Sequence, residues 1–152
     1  GALNRRGFER AYAAEVARVR RRGGHLALVM IDLDDFKMLN DCHGYLAGDR
    51  ALAHFVSVLQ ATMRPSDVLC RFGGEEFVML LPDTTVADAC TAVRRFLAAF
   101  SSLAIPELDQ SMTFSAGAVG HDGSESLDGA LERADAATYA AKRTGKNRVV
   151  AG

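Results

Sequence analysis

Val68-Leu69-Cys70-Arg71-Phe72, Gly73-Gly74-Glu75-Glu76, Phe77-Val78-Met79-Leu80-Leu81: two apolar, strand-like runs flank a four-residue connection. The glycines allow positive φ there, so the stretch predicts a β-hairpin with two acids at its tip. A hairpin pairs its strands antiparallel, so the sheet it joins cannot be purely parallel.

Upstream, His25-Leu26-Ala27-Leu28-Val29-Met30-Ile31 is a short continuous apolar run that stops at Asp32-Leu33-Asp34-Asp35. It reads as a strand buried on both faces, with acids at its carboxyl end. Residues 4–22 repeat apolar side chains at Phe8, Tyr12, Val16 and Val19, with Asn4 as N-cap and Gly23-Gly24 as the stop. Residues 47–63 return to helical period at Leu52, Phe55, Val56 and Leu59, and Pro65 closes that segment. Downstream of the hairpin, Thr85-x-x-Asp88 resembles a capping box and opens a helix to about Ser101; Pro106 marks a loop. Residues 112–119 read as a strand, Ser126 caps a last helix ending near Gly145, and Val149-Val150 offer a short final strand. The order is helix, strand, helix, hairpin, helix, strand, helix, strand. That is an α/β fold with a mixed central sheet surrounded by helices, and periodicity leaves open whether the helices cover one face or both.

The chain has 152 residues, 49% hydrophobic and 24% charged, which is one domain's worth of ordinary globular composition. No apolar run approaches the roughly 18 residues of a membrane span, and no signal-peptide core is present. The net charge of −1, from 18 basic and 19 acidic residues, gives no global field toward nucleic acid or anionic lipid. Cys42, Cys70 and Cys90 are odd in number and far apart, a pattern that fits a reducing, cytoplasmic setting. His25, His43, His54 and His121 lack zinc-ligand spacing.

Asp32 and Asp34 at the end of one strand, with Glu75 and Glu76 at the hairpin tip, would form a carboxylate cluster if those edges meet. Two carboxylates about 5 Å apart repel by roughly 3 kcal/mol at an effective dielectric of about 20, so a hard cation is the natural neutraliser. Mg²⁺ prefers few carboxylates plus substrate phosphates. The plainer alternative is that Asp34 or Asp35 caps a short helix before Asn40 and the glutamates are solvated at a turn.

The segments 32–41, Gly44, Gly48-Asp49, 71–77, Ala134-Asp135 and 141–149 together closely resemble the GGDEF domain of bacterial diguanylate cyclases. The likeness spans nearly the whole chain in order, and Leu3-Asn4-Arg5-Arg6-Gly7-Phe8 resembles the family's opening with its first signature residues cut away. It implies a single catalytic domain over residues 1–152, slightly truncated at its N-terminus, with a sensor or receiver domain usual upstream in the family. The implied fold is palm-like, as in nucleotidyl cyclases and polymerases, with the signature on the β-hairpin. The implied reaction condenses two GTP into cyclic di-GMP and two pyrophosphates in a homodimer, with Mg²⁺ or Mn²⁺ as cofactor.

The resemblance also implies roles. Asp32, the Leu33 carbonyl, Glu75 and Glu76 match the metal-binding and catalytic positions, and Glu75 is a candidate for assisting deprotonation. Gly73 and Gly74 match positions where the backbone approaches phosphates, and Phe36 and Lys37 match the grip on β- and γ-phosphates. Asn40 and Asp49 match the guanine-binding pair; on spacing alone helix capping is the simpler reading. Lys142 and Lys146, one helical turn apart, match distal phosphate-binding residues, with Lys146 standing where arginine is usual and losing its bidentate fork. Tyr45 stands where a histidine usually follows the glycine.

Arg64-Pro65-Ser66-Asp67 is an RxxD sequence at the family's offset for an inhibitory cyclic di-GMP site, with Arg95 as a further contact. Pro65 suits the second position of a turn that would bring Arg64 and Asp67 together, and such a pair can read a guanine edge. A rival reading, a catalytically weak receptor that binds cyclic di-GMP at Arg64 and Asp67, is disfavoured by the intact Asp32, Glu75 and Glu76. A different palm-like nucleotidyl transferase is disfavoured by Asn40, Asp49 and the signature.

Overall fold

The computed structural model describes residues 2–121 and 123–152. Its elements run α1 (Arg5–Arg22), β1 (Leu26–Leu33), α2 (Phe36–His43), α3 (Tyr45–Thr62), β2 (Val68–Gly73), β3 (Glu76–Pro82), α4 (Val86–Ser101), β4 (Phe114–His121), α5 (Leu127–Arg143) and β5 (Arg148–Ala151). The sheet order is β2-β3-β1-β4-β5, with β1 central and antiparallel to both neighbours. Among the described strands β4 and β5 alone pair in parallel, with an isolated parallel bridge between Leu3 and Cys70, so the sheet is mixed.

Local chemistry sets the helix ends. Asn4, Thr85 and Ser126 accept from the amides of Gly7, Asp88 and Gly129, each relieving one orphan N–H of a first turn. The α5 terminus is a Schellman turn: beyond Gly145, the Lys146 amide donates back to the Ala141 carbonyl at 3.0 Å. The sequence reading differs at two places. A separate helix, α2, precedes α3, and β1 runs on through Asp32 and Leu33, so Asp32 lies inside the strand.

Helices cover both faces. Along β1, Ala27, Val29, Ile31 and Leu33 join one core with α3 and α4, built around Phe55, Phe77, Phe100 and Phe114. Leu26, Leu28 and Met30 join the other with α1 and α5, including Phe8, Tyr12 and Ala134. Strand alternation therefore puts Asp32, an even position, on the α5 side.

Helix α5 reaches the sheet because Gly117 leaves it room. A Cβ there would fall 2.5 Å from the Thr138 amide nitrogen and 2.7 Å from the Ala137 Cβ. The Thr138 hydroxyl also lies 3.3 Å from the Met30 carbonyl of β1, a polar contact of α5 with the sheet.

Candidate active site

In the β1–β3 ladder Asp32 stands opposite Glu76. The Leu33 amide donates to the Glu75 carbonyl at 3.2 Å, which ties the hairpin tip to the end of β1. The connection is shorter than the sequence reading had it: only Gly74 and Glu75 lie between β2 and β3, with a register shift between Arg71 and Gly73. Neither Gly73 nor Gly74 takes a positive φ, so conformational freedom is not what glycine supplies here. It supplies space, since a Cβ on Gly74 would meet nothing within 4 Å and that side of the turn stays open to a ligand. Arg71, to which sequence reasoning gave no role, donates to the Gly74 carbonyl at 2.8 and 3.1 Å and braces the turn that carries Glu75.

Lys142, in the last turn of α5, places its Nζ 2.5 Å from Asp32 Oδ2. Burial pushes the Asp32 carboxyl above its ordinary pKa, and Lys142 opposes that rise. Glu76 is also pushed up, by burial first and then by repulsion from Asp32, Glu75 and Asp135. This is a site short of positive charge, in which one ammonium serves several carboxylates. The donor set, all oxygen and open to one side, suits a hard divalent cation shared with phosphates. Among the described residues no three His, Cys, Asp or Glu side chains form a closed metal cage.

Asp34 lies near enough to help raise the Asp32 carboxyl, but its own oxygens are engaged elsewhere. Its carboxylate accepts from the hydroxyls of Thr113 at 2.6 Å and Ser115 at 2.7 Å and from the Asn147 amide at 3.0 Å, so it braces β4 and the approach to β5. The capping alternative fails: Asp35 sits at the α2 N-cap with φ 56° and makes no capping bond. It instead pairs with Lys146 at 2.7 Å. Lys146 is therefore not one helical turn beyond Lys142. It lies past the end of α5 in a left-handed conformation, φ 61°.

Phe36 and Lys37 open α2, whose N-cap residue makes no side-chain bond to the first-turn amides. Asn40 lies within α2 and Asp49 within α3, and neither caps a helix. The Asn40 Oδ1 is buried without a hydrogen-bond partner. Gly48 makes room for that amide: a Cβ at Gly48 would overlap Oδ1 and approach its Cγ to 2.9 Å. Asp49 and Arg71 line one shared cavity of ≈ 560 Å³ with Phe77. Tyr45 is 86% exposed, so its presence leaves the core packing untouched.

Arg64 and Asp67 form the expected turn, with the Asp67 amide donating to the Arg64 carbonyl at 3.0 Å and the side chains paired at 2.9 Å. Arg95 lines the same cavity as this pair. Pro82, beside Arg64, lies six residue steps along β3 from Glu76, so this second cluster lies roughly 20 Å from the carboxylates.

The family model described as diguanylate cyclase, GGDEF domain, matches residues 1–148. The chain is 40% identical over 151 residues to the diguanylate cyclase DgcP of Pseudomonas aeruginosa, covering 98% of this chain and 22% of that protein. It is 37% identical over 157 residues to the diguanylate cyclase DgcM of Escherichia coli, covering 99% of this chain and 37% of that protein. The chain thus spans well under half the length of these curated relatives. Among solved structures, the active GGEEF domain of a diguanylate cyclase from Vibrio cholerae superposes with a TM-score of 0.92 at 30% identity, covering 99% of this chain and 97% of that one. The GGDEF domain of DgcB from Caulobacter crescentus, in complex with c-di-GMP, gives 0.90 at 32% identity, covering 99% and 88%.

Proposed function

The chain belongs to the GGDEF domain family of diguanylate cyclases, and from that premise we propose that it condenses two GTP into cyclic di-GMP with release of two pyrophosphates. The observation that carries this reading is the meeting of Asp32, Glu75 and Glu76 at the end of β1 with Lys142 bonded to Asp32. Asp32, Glu75, Glu76 and the Leu33 carbonyl would hold Mg²⁺ or Mn²⁺. When bound, the cation supplies charge neutralisation between these carboxylates and the triphosphate.

The chain's own residues do the rest. Asn40 and Asp49 bind guanine: the buried Asn40 amide oxygen lacks a donor, and a carboxylate at Asp49 accepts from the guanine N1–H and N2–H₂, which adenine does not offer together. Phe36 and Lys37, at the uncapped start of α2, face the β- and γ-phosphates, and Gly73 and Gly74 leave the backbone accessible to them. Lys142 and Lys146, now held by Asp32 and Asp35, exchange those acids for phosphate oxygens. In each half-reaction a 3′-oxygen bonds to the α-phosphorus of the other nucleotide, the bond to the β-phosphate oxygen breaks, and Glu75 takes the hydroxyl proton. Because each site holds one GTP, two copies must face each other.

Arg64 and Asp67, with Arg95, form the site through which cyclic di-GMP inhibits. Incubation of the purified chain with GTP and Mg²⁺, followed by nucleotide chromatography, tests the activity. Cyclic di-GMP and pyrophosphate are the expected products, and their absence at high protein concentration overturns the reading.

A further inference from the structure

Arg64 is fixed by more than its acid partner. Its Nε lies 3.3 and 3.4 Å from the two Asp67 oxygens; of its two Nη2 protons one serves Asp67 Oδ1 at 2.9 Å and the other is shared by the Pro82 carbonyl at 2.9 Å and Thr84 Oγ1 at 2.8 Å. The Thr84 hydroxyl spends its own proton on the Pro82 carbonyl at 2.8 Å, so a lone pair is left to face the guanidinium. With Nε and Nη2 occupied, the Nη1 edge is the one left for a ligand.

Asp67 belongs to the same turn as Arg64 and moves with it. Pro82 ends β3 and Thr84 lies in the turn between β3 and α4, both outside the Arg64–Asp67 turn, and Thr84 is only 6% exposed. The β3–α4 turn is anchored in its own right, since Asp83 pairs with Arg18 of α1 at 3.2 Å. Arg64 itself is half-exposed, and a long side chain free in solvent would lose rotamer freedom on gripping a ligand.

We infer that Thr84 is a positioning residue for cyclic di-GMP binding: its hydroxyl pre-orders the Arg64 guanidinium with the Nη1 edge presented to the cavity shared with Asp67 and Arg95. The inference rests on the product-site reading above. Thr84 lines the same cavity, but its hydroxyl is committed to Pro82 and Arg64 and acts through the guanidinium. It reduces the ordering that binding would otherwise demand, and it orients the one free edge of the fork.

Calorimetric titration of the 152-residue chain with cyclic di-GMP, and separately with GTP, tests this in Thr84→Val, Thr84→Ala, Thr84→Ser and Arg64→Ala. Loss of one hydrogen bond predicts a cyclic di-GMP Kd raised about 2- to 12-fold in the Val and Ala variants, and raised more than the Kd for GTP. Thr84→Ser should restore the wild-type ratio of the two constants. An unchanged ratio in whichever of Thr84→Val and Thr84→Ala folds, or tighter product binding, overturns the inference, because the hydroxyl would then be idle or in competition with the ligand. Cyclic di-GMP binding that survives Arg64→Ala at full strength refutes the product-site reading itself, whatever the Thr84 variants do.

Discussion

Gly48→Ala isolates the proposed guanine site from the rest of the fold. The added methyl would lie 2.9 Å from the Asn40 Cγ and 3.1 Å from the Phe36 Cζ, inside ordinary contact, so the Asn40 amide must move. Overpacking of this kind costs about 1–3 kcal/mol. Replacing a glycine inside α3 returns about 1 kcal/mol of helix propensity, leaving a net cost of roughly 0–2 kcal/mol. At about 2–4 °C per kcal/mol for a domain of this size, the Tm should fall by only a few degrees. The displaced amide loses up to two hydrogen bonds to guanine, about 1–3 kcal/mol together, so the KM for GTP should rise roughly 5- to 150-fold. Steady-state kinetics beside thermal unfolding measures both. The double variant with Asn40→Ala should bind GTP no worse than Asn40→Ala alone, since both changes act through one amide. A wild-type KM in a folded Gly48→Ala protein, or fully additive losses in the double variant, would refute the reasoning.

Asp32→Asn and Glu75→Gln should each abolish cyclic di-GMP formation while circular dichroism stays unchanged; wild-type turnover in either removes the carboxylates from the site. Glu76 and Asp32 have pKa values raised in the folded state, so their contribution to stability is present below the unfolded value of about 4 and is lost as pH rises through the raised values. Thermal unfolding of the metal-free protein from pH 4 to 8 should therefore show a weaker decline in Glu76→Gln than in wild type, and an identical slope counts against the charge crowding. Asp49→Ser should erode the preference for GTP over ATP, read as a ratio of kcat/KM values; an unchanged ratio dismisses its role in base recognition. Specific activity should climb steeply with protein concentration and climb again when a leucine zipper is fused to the N-terminus, whereas a flat profile would speak for turnover within one copy.

What could be read from the sequence was what local chemistry decides. The caps at Asn4, Thr85 and Ser126, the stop at Gly145 and the hairpin at 73–76 depend on neighbours within a few residues. Helix α2 was harder to see as an element of its own, because its eight residues bury one side chain, Leu39. The carboxylates Asp32, Glu75 and Glu76 were legible as a cluster, but the fate of Asp34 was not. Its hydroxyl and amide donors lie 79, 81 and 113 residues away, and no spacing rule reports them. Arg71 stood inside the quoted signature, yet its brace on the turn emerges only once the register shift before Gly73 folds the chain back on itself. Lys146 was misplaced for a related reason: the Schellman turn ends the helix before it and turns its side chain toward Asp35. Two helix-covered faces, finally, follow from β1 supplying apolar side chains to both, a property shared by any continuous apolar strand.

The division of β1 into even and odd positions has a consequence for how this domain can change over generations. Asp32 and Glu76 meet because both fall on the α5 side of paired central strands. Deleting or inserting one codon within β1 would turn Asp32 toward the phenylalanine-rich core and send an apolar neighbour to the carboxylate side, costing activity and packing at once. Point substitutions can adjust the site one residue at a time, but length changes in this strand cannot pass through a working intermediate. Length variation should therefore gather in the exposed turns, such as the segment between α4 and β4, while the strand that carries Asp32 keeps its length.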